Sequence, residues 1–267
     1  VNTLKKTKII DAHVHIFPEK IAEKATVSIG NYYGIPMFAK GTIENLFENA
    51  EKIGVYKYIV HSTATRVEQV ESINNFIAET QMKYKSFIGF GTLHPELDDI
   101  ESEVNRIIAL GLKGIKLHPD FQDFNIDDEC MMPVYKAIEG KLPVLIHMGD
   151  EKRTSSSPER LAKVMDLFPK ITFIAAHLGG YQMWDDSIKY LVGKNLYFDT
   201  SSSLAILDKE KATYIIKEHG VKKVLFGTDY PMWSHEDELR RFYLLDLTDE
   251  ERELILWKNA AGLLSID

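Results

Sequence analysis

Lys8-Ile9-Ile10-Asp11-Ala12-His13-Val14-His15 reads as a short β-strand that ends on two imidazoles. Other short β-rich apolar runs lie at 55–62, 87–93, 114–118, 143–148, 172–177, 196–200 and 223–228, which makes eight. Between them lie stretches with the helical period, at 42–53, 67–83, 100–110, 158–168 and 212–219. Strand and helix alternating in this way is the rhythm of βα units around a parallel sheet, and 267 residues is close to the roughly 250 of one closed barrel. The expected fold is a single (β/α)8 TIM barrel, one domain over residues 1–267. A doubly wound open sheet shares the alternation but needs a glycine-rich phosphate loop after an early strand. Gly89-Phe90-Gly91 lies inside a strand-like run and lacks the third glycine of such a loop.

Several helix ends are marked. Thr42 and Ser157-Pro158 suit N-termini, and Gly111 and Gly220 suit C-termini. Residues 17–41 form the longest connection, and the aromatics and turn residues of Asn31 to Phe38 read as a loop insertion over the barrel mouth. A helical insertion is the alternative.

Composition narrows the function classes. Acidic residues outnumber basic ones, 40 to 32, and no basic stretch suits a phosphate backbone, so nucleic acid is not an expected partner. Cys130 is the single cysteine, which rules out an intrachain disulfide and a four-thiolate metal site and fits a reducing, cytoplasmic setting. No apolar run reaches the ~18 residues of a membrane span, and Val1 to Lys8 lacks the apolar core of a secretory signal. The expected partner is a small-molecule substrate.

Seven of the nine histidines fall at or just beyond a strand end: His13, His15, His61, His94, His118, His147 and His177. In a parallel barrel those ends open on one face, where residues distant in sequence converge. His13 and His15, at i and i+2, point to the same side of their strand and can reach one ion. His147 and His177 each end an apolar run. Asp229 follows the eighth strand, the neighbour of the first in a closed barrel, where a carboxylate can ligate a cation and exchange a proton with water. Lys116 and His118 alternate onto one face of the fourth strand, and an inward lysine there needs a counterion: a substrate carboxylate, an acid such as Asp199, or a carbamate bridging two metals. His61, Arg66, His94, Asp199, Trp184 and Trp233 are softer candidates for substrate contact.

With these residues on the page the sequence resembles the amidohydrolase superfamily, in the branch that contains aminocarboxymuconate-semialdehyde decarboxylase. The resemblance spans nearly the whole chain and rests on Asp11 to His15, Gly114-Ile115-Lys116-Leu117-His118-Pro119, His147, Ala176-His177-Leu178-Gly179-Gly180, Gly227-Thr228-Asp229-Tyr230-Pro231 and the closing Lys258-Asn259-Ala260-Ala261-Gly262-Leu263-Leu264. It implies a barrel in which His13, His15, His147 and Asp229 bind one divalent metal, zinc by default, while His177 contacts the metal-bound water or the substrate. It also implies hydrolysis of an amide, ester or lactone, with Asp229 and His177 catalytic and with Lys116, His118, His61 and Arg66 at a small acidic substrate. Nonoxidative decarboxylation of an unsaturated or aromatic acid is the alternative reaction. Many such barrels are dimers, and the sequence marks no interface.

Overall fold

Each of the eight β-rich runs forms a strand in the computed structural model, which describes residues 8–266. They are β1 (Ile10–His15), β2 (Lys57–His61), β3 (Phe87–Thr92), β4 (Gly114–Leu117), β5 (Val144–Ile146), β6 (Phe173–Ala175), β7 (Tyr197–Asp199) and β8 (Val224–Leu225), joined in one sheet in the order β1 to β8. The helices are α1 (Glu19–Tyr33), α2 (Ile43–Ala50), α3 (Val70–Lys83), α4 (Ile100–Ala109), α5 (Pro119–Gln122), α6 (Met132–Ile138), α7 (Pro158–Leu167), α8 (Trp184–Tyr190), α9 (Lys209–His219), α10 (His235–Tyr243), α11 (Asp249–Glu253) and α12 (Asn259–Leu264). The architecture is a (β/α)8 barrel. None of the described helices is long and apolar enough to cross a membrane.

Two compact units make up the chain, one holding the described residues up to Ile59 and those from Thr200 onward, the other Val60–Asp199. In the second, β3 to β7 run as a continuous parallel ladder, with Thr92 opposite Lys116, Lys116 opposite Leu145, and Leu145 opposite Ile174. Strands β3 to β6 are buried along their length, as expected where helices cover a parallel sheet and the strand reads as an unbroken apolar run. In the first unit, β1 meets the segment that follows β8. Ala12 N–H donates to the Phe226 carbonyl at 2.8 Å, Asp229 N–H to that of His13 at 3.0 Å, and His15 N–H to that of Tyr230 at 2.8 Å. These bonds close the barrel and bring Asp229 beside the His-x-His strand.

Two expectations change. Residues 17–41 are mostly helix α1, the helical-insertion alternative to a loop, and α1 ends at Gly34 in the left-handed conformation. Its polar sequence buries only Ala22 and Thr26, which is why no strong apolar stripe announced it. β8 is shorter than the run 223–228, because Phe226 turns its N–H to the Ile255 carbonyl and Gly227 to the Thr200 hydroxyl oxygen instead of to a strand neighbour. Thr42 caps α2 as expected, whereas the Ser157 hydroxyl makes no capping bond and α7 starts on Pro158.

Candidate active site

The alternation of β1 sends His13 and His15 to the same side, and the barrel-closing bonds set Asp229 against both. His13 Nε2 lies 3.3 Å from His15 Nε2 and 3.4 Å from Asp229 Oδ1, and His15 Nε2 lies 3.3 Å from the same oxygen. Three donor atoms therefore form a nearly equilateral triangle. Ligands about 2.0–2.1 Å from a tetrahedral ion stand about 3.3–3.4 Å apart, so the triangle has the edge length of one face of such a polyhedron. The donor set, two imidazole nitrogens and one carboxylate oxygen, is also the right chemistry for a first-row divalent ion.

The outward atoms of two of these side chains are held as well. Ser201 Oγ lies 3.0 Å from His13 Nδ1, and Ser202 Oγ donates to Asp229 Oδ2. Asp11 ties the backbone of both segments together: its carboxylate accepts from His13 N–H at 3.1 Å, Thr228 N–H at 3.0 Å and the Thr228 hydroxyl at 2.5 Å. His235 Nε2, at the start of α10, stands 3.1 Å from the same carboxylate. Ser202 and Asp229 both adopt left-handed backbone, φ 49° and 61°, at a cost of about 1–2 kcal/mol each, and such strain persists where surrounding bonds over-determine it.

The second unit gathers His118, His147 and His177. His147 Nε2 lies 2.8 Å from the Gly149 carbonyl, which can only accept, so Nε2 carries the proton. With a neutral ring the lone pair is on Nδ1, 2.9 Å from His177 Nε2. A metal bond from His147 would therefore use Nδ1. His177 sits on a left-handed turn, φ 62°, pinned from several directions. Its N–H donates to Asp199 at 3.0 Å, its carbonyl accepts Trp184 Nε1–H at 3.0 Å, and the Ser187 hydroxyl holds the next carbonyl.

Asp120 brings a carboxylate to His118 and His147, the three offering ligand atoms within 4.8 Å of one another. As a metal site this group is inferior to the triangle. The rings of His118 and His147 stack at 3.9 Å with planes 8° apart, so their in-plane lone pairs run parallel and do not converge. Asp120 Oδ2 accepts the Ser156 hydroxyl at 2.6 Å, while Oδ1 has no hydrogen-bond partner. Burial pushes the Asp120 carboxyl up to about 6.

Lys116 is fully enclosed in β4 and His61 in β2, whereas Arg66 is exposed beyond β2. His94 is buried beside Glu96, and desolvation lowers its pKa. Sequence reasoning gave no role to Asp11, Asp120, Ser201, Ser202 or His235. A buried acid two residues ahead of His-x-His, and four hydroxyl residues in a row after a strand at Thr200 to Ser203, were the signals available.

The family model described as amidohydrolase matches residues 10–266. The 2-amino-3-carboxymuconate-6-semialdehyde decarboxylase of Dictyostelium discoideum is 23% identical over 253 residues, covering 75% of this chain and 67% of that protein. A dihydroxybenzoic acid decarboxylase from Polaromonas sp. JS666, solved with manganese and 2-nitroresorcinol, superposes with a TM-score of 0.74 at 17% identity over 97% of each chain. A probable 2-pyrone-4,6-dicarboxylic acid hydrolase from Acinetobacter baumannii, with citric acid bound, gives 0.71 at 16% identity over 97% of this chain and 100% of that one. The two superpositions share the fold, and the match across residues 10–266 decides kinship: the chain belongs to the amidohydrolase family.

Proposed function

We propose that this protein is a metal-dependent hydrolase that cleaves an amide, ester or lactone of a small acidic substrate. The observation that carries the reading is the triangle of His13 Nε2, His15 Nε2 and Asp229 Oδ1, with edges of 3.3 to 3.4 Å. His147 is the fourth ligand we propose, and its Nδ1 would be the nitrogen offered. Zinc is our assignment, on the imidazole and carboxylate donor type of these residues. A divalent ion so held supplies Lewis acidity, polarising a carbonyl and lowering the pKa of water towards ~7.

The chain's own groups do the rest. Asp229 takes the proton of the attacking water and returns it to the leaving group, while Ser202 hydrogen-bonds to Oδ2. His177, fixed by Asp199 and Trp184, rests with Nε2 against His147 Nδ1, and a metal taken up on that nitrogen would free the Nε2–H for the oxygen on which charge develops. Lys116, His118, His61 and Arg66 are the proposed substrate contacts. Arg66 is exposed and suited to a carboxylate arriving from solvent, whereas Lys116 offers a buried amine. The test is turnover of small acidic amides, esters and lactones in oxygen-18 water. The label should enter the product, and Asp229→Asn should abolish turnover. An Asp229→Asn enzyme that hydrolyses normally refutes the assignment.

A second reading, nonoxidative decarboxylation of an unsaturated or aromatic acid, is favoured by the Dictyostelium relative and the Polaromonas neighbour, both decarboxylases. Carbon dioxide release without incorporation of solvent oxygen would establish it in place of hydrolysis.

A further inference from the structure

Asp229 turns Oδ1 into the triangle and Oδ2 away from it, onto Ser202 Oγ. The same hydroxyl lies 2.8 Å from Trp233 Nε1. An indole N–H only donates, so Ser202 Oγ accepts from Trp233 and must place its one proton elsewhere. Two acceptors are within reach, Asp229 Oδ2 and, at 3.5 Å, Met232 Sδ. A carboxylate is far the stronger acceptor. The chain of bonds therefore has a direction, from Trp233 N–H to Ser202 O–H to Asp229 Oδ2.

Its far end is anchored. The Arg241 guanidinium lies 5.5 Å from the centre of the Trp233 ring, and Arg241 pairs at 2.5 Å with Glu238, a buried residue of α10. A carboxylate with both oxygens available can chelate a cation through both. Here one oxygen is already engaged, and the neighbouring Ser201 does the same for the outward nitrogen of His13 at 3.0 Å.

We infer that the Trp233–Ser202 relay is a positioning device that keeps Asp229 a one-oxygen ligand, leaving the coordination position that Oδ2 would fill to water or substrate. Trp233 and Ser202 act through Asp229, and the inference rests on the metal-centre reading above.

The test uses the full chain loaded with cobalt(II), whose visible absorption weakens as coordination number rises. Ser202→Gly removes the hydroxyl at a backbone of φ 49° that glycine adopts without strain. Trp233→Phe removes only the indole donor and leaves Ser202 in place. Wild type should bind about one equivalent with the strong absorption of a low-coordinate ion. Ser202→Gly should lose intensity severalfold as Oδ2 joins, and Trp233→Phe should shift the same way by less. Cobalt spectra identical to wild type in both variants, at equal loading, overturn the relay while leaving the metal centre standing. If Ser202→Gly does not fold, an unchanged Trp233→Phe spectrum overturns it alone. A wild-type chain that takes up no cobalt defeats the metal reading and the relay with it.

Discussion

Asp11→Ala is expected to be among the most damaging single changes in this protein, although Asp11 is not one of the proposed ligands. Its fully buried carboxylate accepts three hydrogen bonds, from His13 N–H, Thr228 N–H and the Thr228 hydroxyl. Alanine strands those donors. Each buried donor left without an acceptor costs about 1–3 kcal/mol, and the three share one partner, so they will not sum fully. About 3–6 kcal/mol is expected, a large share of the roughly 5–15 kcal/mol that holds a domain folded. Asp11→Asn separates the causes. Its amide oxygen can serve the two N–H groups while its NH2 reverses the bond to the Thr228 hydroxyl, so the charge and the acceptor for one proton are lost, at about 1–3 kcal/mol. Urea unfolding at neutral pH measures both, read as a lower midpoint at constant slope. A loss below about 1 kcal/mol for alanine, or equal losses for the two variants, would refute the clamp.

Gly149→Ala should cost about 2–4 kcal/mol in a thermal melt, because φ is 79° and the new Cβ would run into the backbone of Tyr181; a melt within about 2 °C of wild type contradicts this. Asp120 holds its proton to about pH 6 when folded, against 3.8 for the ordinary carboxyl, so the native state binds the extra proton in between. Its contribution to stability therefore falls as pH rises from about 4 to about 6, and Asp120→Asn should flatten that part of the stability curve; an unaltered slope sinks the assignment. Trp184→Phe deletes the donor to the His177 carbonyl and should cost about 1 kcal/mol, with slower turnover at unchanged metal content. Unchanged turnover would show that the His177 turn needs no such support.

How far the sequence foretold this depends on how local each signal is. The eight strands were legible because a buried parallel strand is a short apolar run, and the strand ends because histidines and acids there interrupt it. Helix α1 was not, since Gly30 and a largely polar surface dilute its period while the aromatics of Asn31 to Phe38 suggest a loop. The metal triangle was half legible. His13 and His15 share a side by strand geometry alone, but the 3.3 Å approach of Asp229 depends on how β1 meets the segment after β8. Ser201 and Ser202 gave no usable signal, because serines after a strand read as turn and their partners His13 and Asp229 are 188 and 27 residues away. The protonated nitrogen of His147 was likewise out of reach, being decided by the nearby Gly149 carbonyl.

The central claim is that His13, His15 and Asp229 form a metal site, and elemental analysis of protein purified without added metal tests it most directly. Wild type should carry about one equivalent of a divalent metal, and a His13→Ala, Asp229→Ala double variant that still folds should carry almost none. Equal metal content in the two proteins, or none in the wild type even after exposure to zinc, would contradict the account.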